Sequence, residues 1–291
     1  MVALTTICWF IFLGVSFVLY ALVLFVLVRH RKKFKSDFFL LIRWLGAADM
    51  ACLVSYFFLF PALTTCCSDQ IRHNIWIATL QQITIYWLYY AQILGNLLIA
   101  LNRFTATLIP LRHNHFWRHK IRPAIAFMCF GPLVYSLPML LPSGQSYFNQ
   151  QMKPRFRNST AIFMYRQVGF TVEQFVLAPS LVVLYAFICI LIVKARRKVA
   201  PSTSKSNRKM KEEKREHRMA AVGASVSGTF QFTEISYFLG IFVHPYFYTF
   251  ITFFWGLYTV INPYLLLLFC DDLRDKFRGS FHLGAPTSST G

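Results

Sequence analysis

The chain has 291 residues, of which 56% are hydrophobic and only 14% charged, with a formal net charge of +19. Soluble domains sit near 45–50% apolar and about 25% charged, so the excess apolar surface must face lipid, which excludes a soluble enzyme, a secreted disulfide scaffold and a disordered chain. A nucleic-acid binder needs its cations on a polar face, whereas here Lys and Arg punctuate long apolar runs.

A membrane-crossing helix needs about 20 mostly apolar residues. Seven runs meet that need, at roughly 4–28, 38–63, 74–101, 123–142, 168–193, 219–243 and 247–269. Backbone polar groups in lipid must be satisfied within the segment, so the runs read as helices. The period-2 alternation of a membrane barrel is absent. The fold class is an all-α membrane protein, a seven-helix bundle over residues 1–269.

The first run is followed by Arg29, Arg31, Lys32, Lys33 and Lys35. No basic cluster precedes it, so it reads as a signal anchor rather than a cleaved signal. Few residues come before it, and no outer ligand-binding domain is expected. The second run holds Asp49 near its middle. Cys66 and Cys67 follow in an outer loop, with no cysteine in the next outer loop to pair with them. The third run carries Tyr86, Tyr89 and Tyr90 in its outer half. Gln92 precedes Arg103 by about three helical turns, so the two share nearly one face.

Between runs three and four lie Arg112, Arg118, Lys120 and Arg122. The loop 143–167 contains the sequon Asn158-Ser159-Thr160, a glycan acceptor if it faces outward. Glu173 lies near the outer end of run five. A third inner loop, 194–218, is strongly basic. It reads as a lipid-headgroup or partner surface. Run six is diluted by Gly223, Ser225, Ser227, Gly228, Thr229 and Glu234, residues that suit helix contacts better than a lipid face. Asn262-Pro263 interrupts run seven. In the tail, 270–291, Asp271 or Asp272 can open a helix, and Phe269, Leu273 and Phe277 form one apolar stripe, which predicts a short amphipathic helix on the inner leaflet.

Basic residues mark the cytoplasmic side. Of the 30 Lys and Arg, 23 fall in the loops after runs one, three and five and in the tail, against five (Arg72, Lys153, Arg155, Arg157, Arg166) on the other side. This predicts an N-terminus outside and a C-terminus inside.

An ionisable residue inside a span is a functional candidate. Asp49, Gln92, Arg103 and the Asn262-Pro263 break can form a hydrated, bistable network. The alternative is a polar clamp that only fixes helix packing. Tyr86, Tyr89, Tyr90, Glu173 and Glu234 can line a cavity open to the outside. The alternative for the tyrosines is an interfacial belt. No metal-ligand spacing, HExxH, GxSxG, P-loop or paired-carboxylate motif occurs, so neither catalysis nor a cofactor is expected.

The stretch from Ala100-Leu101-Asn102-Arg103-Phe104-Thr105-Ala106 through Pro110-Leu111-Arg112-His113 to Trp117 resembles the nematode serpentine chemoreceptors, closest to class V and class gamma. Those are seven-helix G-protein-coupled receptors. More distantly the chain is similar to rhodopsin-like receptors. Leu45–Asp49 resembles their span-two acidic motif, Arg103 stands in the place of the arginine ending span three, and Asn262-Pro263 resembles the start of their span-seven motif. The departures are Asn102 for the usual acid beside Arg103, Leu266 for a tyrosine, no Trp-x-Pro in span six, no tryptophan in span four and no outer disulfide. The resemblance implies a plasma-membrane receptor for a small-molecule ligand that activates a heterotrimeric G protein, with Asn102 and Arg103 at the coupling end. The rivals are a small-molecule transporter, for which no internal repeat is found, and a non-catalytic membrane scaffold.

Overall fold

The computed structural model describes residues 2–66, 73–142, 145–148, 154–156, 159–198, 225, 228 and 247–281. Helix α1 spans Val2–Arg29. Its exposed face, Ile7, Ile11, Val15, Val18 and Phe25, is wholly apolar, while Leu13, Tyr20, Val23 and Leu27 are fully buried. A helix apolar all round packs on one side and meets lipid on the other.

Helix α2 spans Asp37–Cys52 and widens into a π-helical stretch over Leu53–Leu59 before continuing as α3, Phe60–Cys66. Helix α4 spans Ile75–Leu108. Asn74 caps it, accepting from the Ile77 N–H at 3.1 Å; an N-cap of this kind satisfies an orphan donor of the first turn. The apolar run ends at 101, but the helix continues for about two turns more, so Arg103 lies inside regular helix. A further short helix, α5, spans Pro110–Arg118, with Pro110 in its first turn. Proline is favoured there because its missing N–H has no helical partner.

Helix α6 spans Ile121–Ser136 and tightens into a 3-10 turn at Leu137–Leu140. Between run four and run five the chain forms a hairpin, β1 (Ser146–Phe148) and β2 (Pro154–Phe156), paired antiparallel. Helix α7 spans Ser159–Val172, widens at Glu173–Leu177, and continues as α8, Ala178–Lys198. It thus begins nine residues before the apolar run at 168. Helix α9 spans Phe247–Phe269, and α10 spans Asp271–Phe281 at 95° to it. Run six lies outside the described residues, except for the helical Ser225 and Gly228.

Among the described residues, four helical stretches are long and apolar enough to cross a membrane: Ile7–Arg29, Asp37–Leu63, Ile75–Leu108 and Ile121–Leu140. The bent pair Phe253–Phe269 and Asp271–Ser280 is a fifth candidate, and Phe175–Leu191 is a shorter apolar helix.

Helix α4 is the axis of the bundle, packing against α2, α6, α8 and the hairpin. Glycines allow the closest approaches. A Cβ on Gly95 of α4 would meet Leu45 Cδ1 at 2.8 Å and Met128 Sδ at 3.0 Å. Small residues let helices approach in this way. Gly95→Ala must therefore displace the Leu45 and Met128 side chains that α2 and α6 press against it. Overpacking of this kind costs about 1–3 kcal/mol, and the variant should unfold at a lower temperature in a thermal-shift measurement. An unchanged midpoint would show that the contact can relax without cost.

Candidate functional site

Asp49 is the centre of a buried polar node. It is 1% exposed, although it sits between the apolar residues of α2. A buried carboxylate must find donors. Asp49 finds three, from three other helices. Tyr20 of α1 donates its hydroxyl to Oδ2. Gln92 of α4 donates through Nε2 to Oδ1 at 2.9 Å. Asn262 of α9 donates through Nδ2 to Oδ2 at 2.8 Å. The proline after Asn262 cannot donate to the carbonyl four residues back, that of Thr259. The node thus stands where the α9 ladder is already incomplete.

The node extends along α4 and α9. Trp255 donates Nε1–H to Gln92 Oε1 at 3.4 Å. Thr259 donates to the Trp255 carbonyl at 2.9 Å and lies 3.4 Å from Gln92 Nε2, which donates to it. Asn96 donates to the Gln92 carbonyl at 3.0 Å and to the Tyr258 hydroxyl. Ser16 and Tyr264 tie α1 to α9 at 2.9 Å.

Outside the node lies a chain of aromatic rings. Tyr56 and Tyr89 flank Trp255, with centroids 4.4 Å and 5.6 Å away. Tyr89 meets Tyr90 at 5.5 Å, and Tyr86 lies 6.4 Å from Tyr90. Tyr90 packs edge-on against Tyr135 at 4.9 Å, and Tyr135 stacks on Tyr165 at 4.9 Å. Each such pair adds about 0.5–1.5 kcal/mol beyond its buried area. The rings link the wide turn after α2 with α9, α4, α6 and α7. Trp255 belongs to both systems: its faces pack in the aromatic chain and its N–H reaches the polar node.

Toward the other end of α4, Arg103 is 7% exposed, with its guanidinium 3.6 Å from the Phe38 ring centroid. Asn102 is 2% exposed, and its Nδ2 has no hydrogen-bond partner among the described residues. Two residues beyond Arg103, Thr105 Oγ1 lies 3.0 Å from the carbonyls of both Leu101 and Asn102 and accepts from Trp117 Nε1 at 2.7 Å. His113 Nδ1 is 3.1 Å from the same oxygen. The hydroxyl therefore clamps α5 onto α4. The clamp leaves Leu111 of α5 98% exposed.

The structure thus brings Asp49, Gln92 and Asn262 into contact and places Pro263 one residue on. Arg103 and Asn102 lie apart from them, about three turns away on α4. Tyr86, Tyr89 and Tyr90 share one aromatic chain. Glu173 opens the wide turn between α7 and α8, and its side chain is outside the described residues, as are Glu234 and Asn158.

A model of the serpentine type 7TM GPCR chemoreceptor family Srv matches residues 9–283. The chain belongs to that family. It is a multi-pass membrane protein of a receptor class. Serpentine receptor class V-1 of Caenorhabditis elegans is 31% identical to it over 129 residues, 42% of this chain and 40% of that relative. The aligned part thus spans two fifths of the relative's length.

Tyr20, Asn96, Trp255, Tyr258 and Thr259 complete the Srv chain's node, and all but Asn96 do so without a signal of their own in the sequence. Tyrosine, threonine and tryptophan are ordinary in membrane helices. Asn96 is the exception, a full amide in an apolar run one turn beyond Gln92.

Proposed function

We propose that this Srv protein is a chemosensory receptor of the plasma membrane with seven spans, its N-terminus outside and its C-terminus in the cytoplasm. A small ligand binds in the outer half of the bundle, and the occupied receptor promotes nucleotide exchange on a heterotrimeric G protein. The observation that carries this reading is the family match across residues 9–283. Two features of the site support it. The node joins four helices through one carboxylate, so a shift of any of them re-sorts its hydrogen bonds. At the other end of α4, Leu111 offers an exposed apolar side chain beside exposed Arg112 and Arg118, the mixture that suits a protein partner.

The ligand would meet the aromatic chain first. Tyr86, Tyr89 and Tyr90 offer ring faces and hydroxyls, and Thr84-Ile85-Tyr86 offers no acid for an amine. The loop 143–167 carries four Lys or Arg and no acid, which favours neutral or anionic ligands by its field. Glu173 and Glu234 are proposed as further contacts. An agonist acts only through tighter binding to the active arrangement, and Trp255 is the residue through which such a preference can reach Asp49.

Trp255→Phe keeps a ring against Tyr56 and Tyr89 but removes the N–H. The loss of one buried hydrogen bond is worth about 1 kcal/mol, or roughly fivefold in an equilibrium. Basal nucleotide exchange should therefore shift by about fivefold at matched surface expression. Unchanged exchange would remove Trp255 from the path.

The reading as a whole is tested by Gα nucleotide exchange in membranes carrying the receptor, challenged with a panel of small water-soluble compounds. A tag at Gly291 should be reached by antibody only after permeabilisation, and Asn158 should carry glycan. Substrate flux into vesicles without exchange would favour a transporter instead.

A further inference from the structure

Helix α10 turns back beneath the end of α1 and is held there at two points. Lys33 Nζ lies 3.2 Å from Asp272 Oδ1. His30 Nε2 lies 3.4 Å from Ser280 Oγ. Asp272 and Ser280 are two helical steps of four apart, so they share one face. Lys276 is the residue midway between them on that face. It is thereby directed at the stretch after α1, where Arg31, Lys32, Lys33 and Lys35 are all exposed. Of these, Lys33 has an acid partner in Asp272. The other acids of α10 are turned elsewhere: Asp271 pairs with Arg274, and Asp275 lies about a quarter turn from the Lys276 face.

Cations brought together in this way repel one another unless an anion sits among them. Clusters of four to eight Lys and Arg next to the inner end of a span attract anionic lipid headgroups. The setting is suited to a lipid. Leu273 is fully buried in the core and Phe277 packs against it, which presses α10 flat against the bundle, so the Lys276 face stands at the level where the spans end. From this geometry we propose that the corner between residues 29–35 and α10 binds a polyphosphorylated headgroup, that of an anionic inner-leaflet lipid. Arg31, Lys32 and Lys276 hold its phosphates, and the Lys33–Asp272 pair fixes the spacing of the two walls. The proposal rests on the cytoplasmic placement of residues 29–35 and 270–281.

The test uses the full chain purified in detergent. Short-chain phosphatidylinositol bisphosphate, phosphatidylserine, phosphatidylcholine and free inositol trisphosphate are titrated in turn and followed by native mass spectrometry. The bisphosphate lipid should bind tightest. Each cation removed should weaken it about fivefold, so R31Q combined with K276Q should cost roughly 25-fold, while K276R should bind as the wild type does. Equal binding by the wild type and the double variant would overturn the proposal. Inositol trisphosphate binding as tightly as the lipid would overturn the lipid source and assign the site to a soluble phosphate. Gα exchange measured on the same preparation separates failure of this site from failure of the receptor reading.

Discussion

On the proposed coupling, Arg103→Ala should abolish nucleotide exchange on the G protein while leaving the receptor at the cell surface. The guanidinium lies over the Phe38 ring, an attraction worth about 2 kcal/mol when both groups are desolvated. A contact of that size is within what a partner's acidic or carbonyl groups can replace. Its replacement by Ala removes a buried cation without opening the polar node, which lies about three turns away. Folding should survive, and exchange should fall by more than about tenfold, a difference of 1.4 kcal/mol. Arg103→Lys separates charge from shape, because an ammonium keeps the charge but cannot stack as a planar group does. Wild-type exchange by the Ala variant at equal surface level would take Arg103 out of the coupling path.

Asp49→Ala should have the opposite character: a large loss of stability. The substitution strands donors of Tyr20, Gln92 and Asn262 together inside the bundle. Each unmet donor costs about 1–3 kcal/mol. The three are coupled, so the total is set at roughly 3–6 kcal/mol rather than their plain sum. Asp49→Asn keeps one acceptor oxygen and should fall between the two. The order of thermal midpoints in detergent is the measurement: wild type highest, Asn next, Ala lowest. An Ala variant as stable as the wild type would mean that the node relaxes around the gap, and that Asp49 is dispensable to the packing of α1, α2, α4 and α9.

Some of this could be read from the sequence and some could not, for identifiable reasons. A carboxylate, an amide and an Asn-Pro pair stand out in apolar runs because lipid tolerates them poorly. That is why Asp49, Gln92 and Asn262 can be picked out before any coordinates. Which of them touch is a matter of helix rotation. Asp49 and Asn262 are 213 residues apart, and no spacing rule reaches so far. Tyr20 donates to the same carboxylate and gives no sign of it, since a tyrosine in a membrane helix is unexceptional. Helix ends also escape hydropathy. The run at 74–101 stops where Asn102 and Arg103 interrupt it, yet the backbone continues to Leu108 because polar side chains do not end a helix outside lipid. The hairpin at 146–156 is short and sits in a loop, below the length at which alternation is informative.

The wide turn at Leu53–Leu59 has a consequence for comparing this chain with others. The N–H of Phe60 reaches back to the carbonyl of Ser55, five residues away rather than four. Such a turn takes up one extra residue without rotating the helix beyond it. In a relative whose second helix is regular throughout, that residue has no counterpart. Aligned without a gap, the two chains agree up to Cys52 and then fall out of phase by about 100°, one residue's worth of rotation. Every position from Phe60 to Cys66 would be matched to a neighbour on the wrong face, and contacts carried across at that end of the helix would be misassigned. A single-residue gap inside 53–59 restores the correspondence.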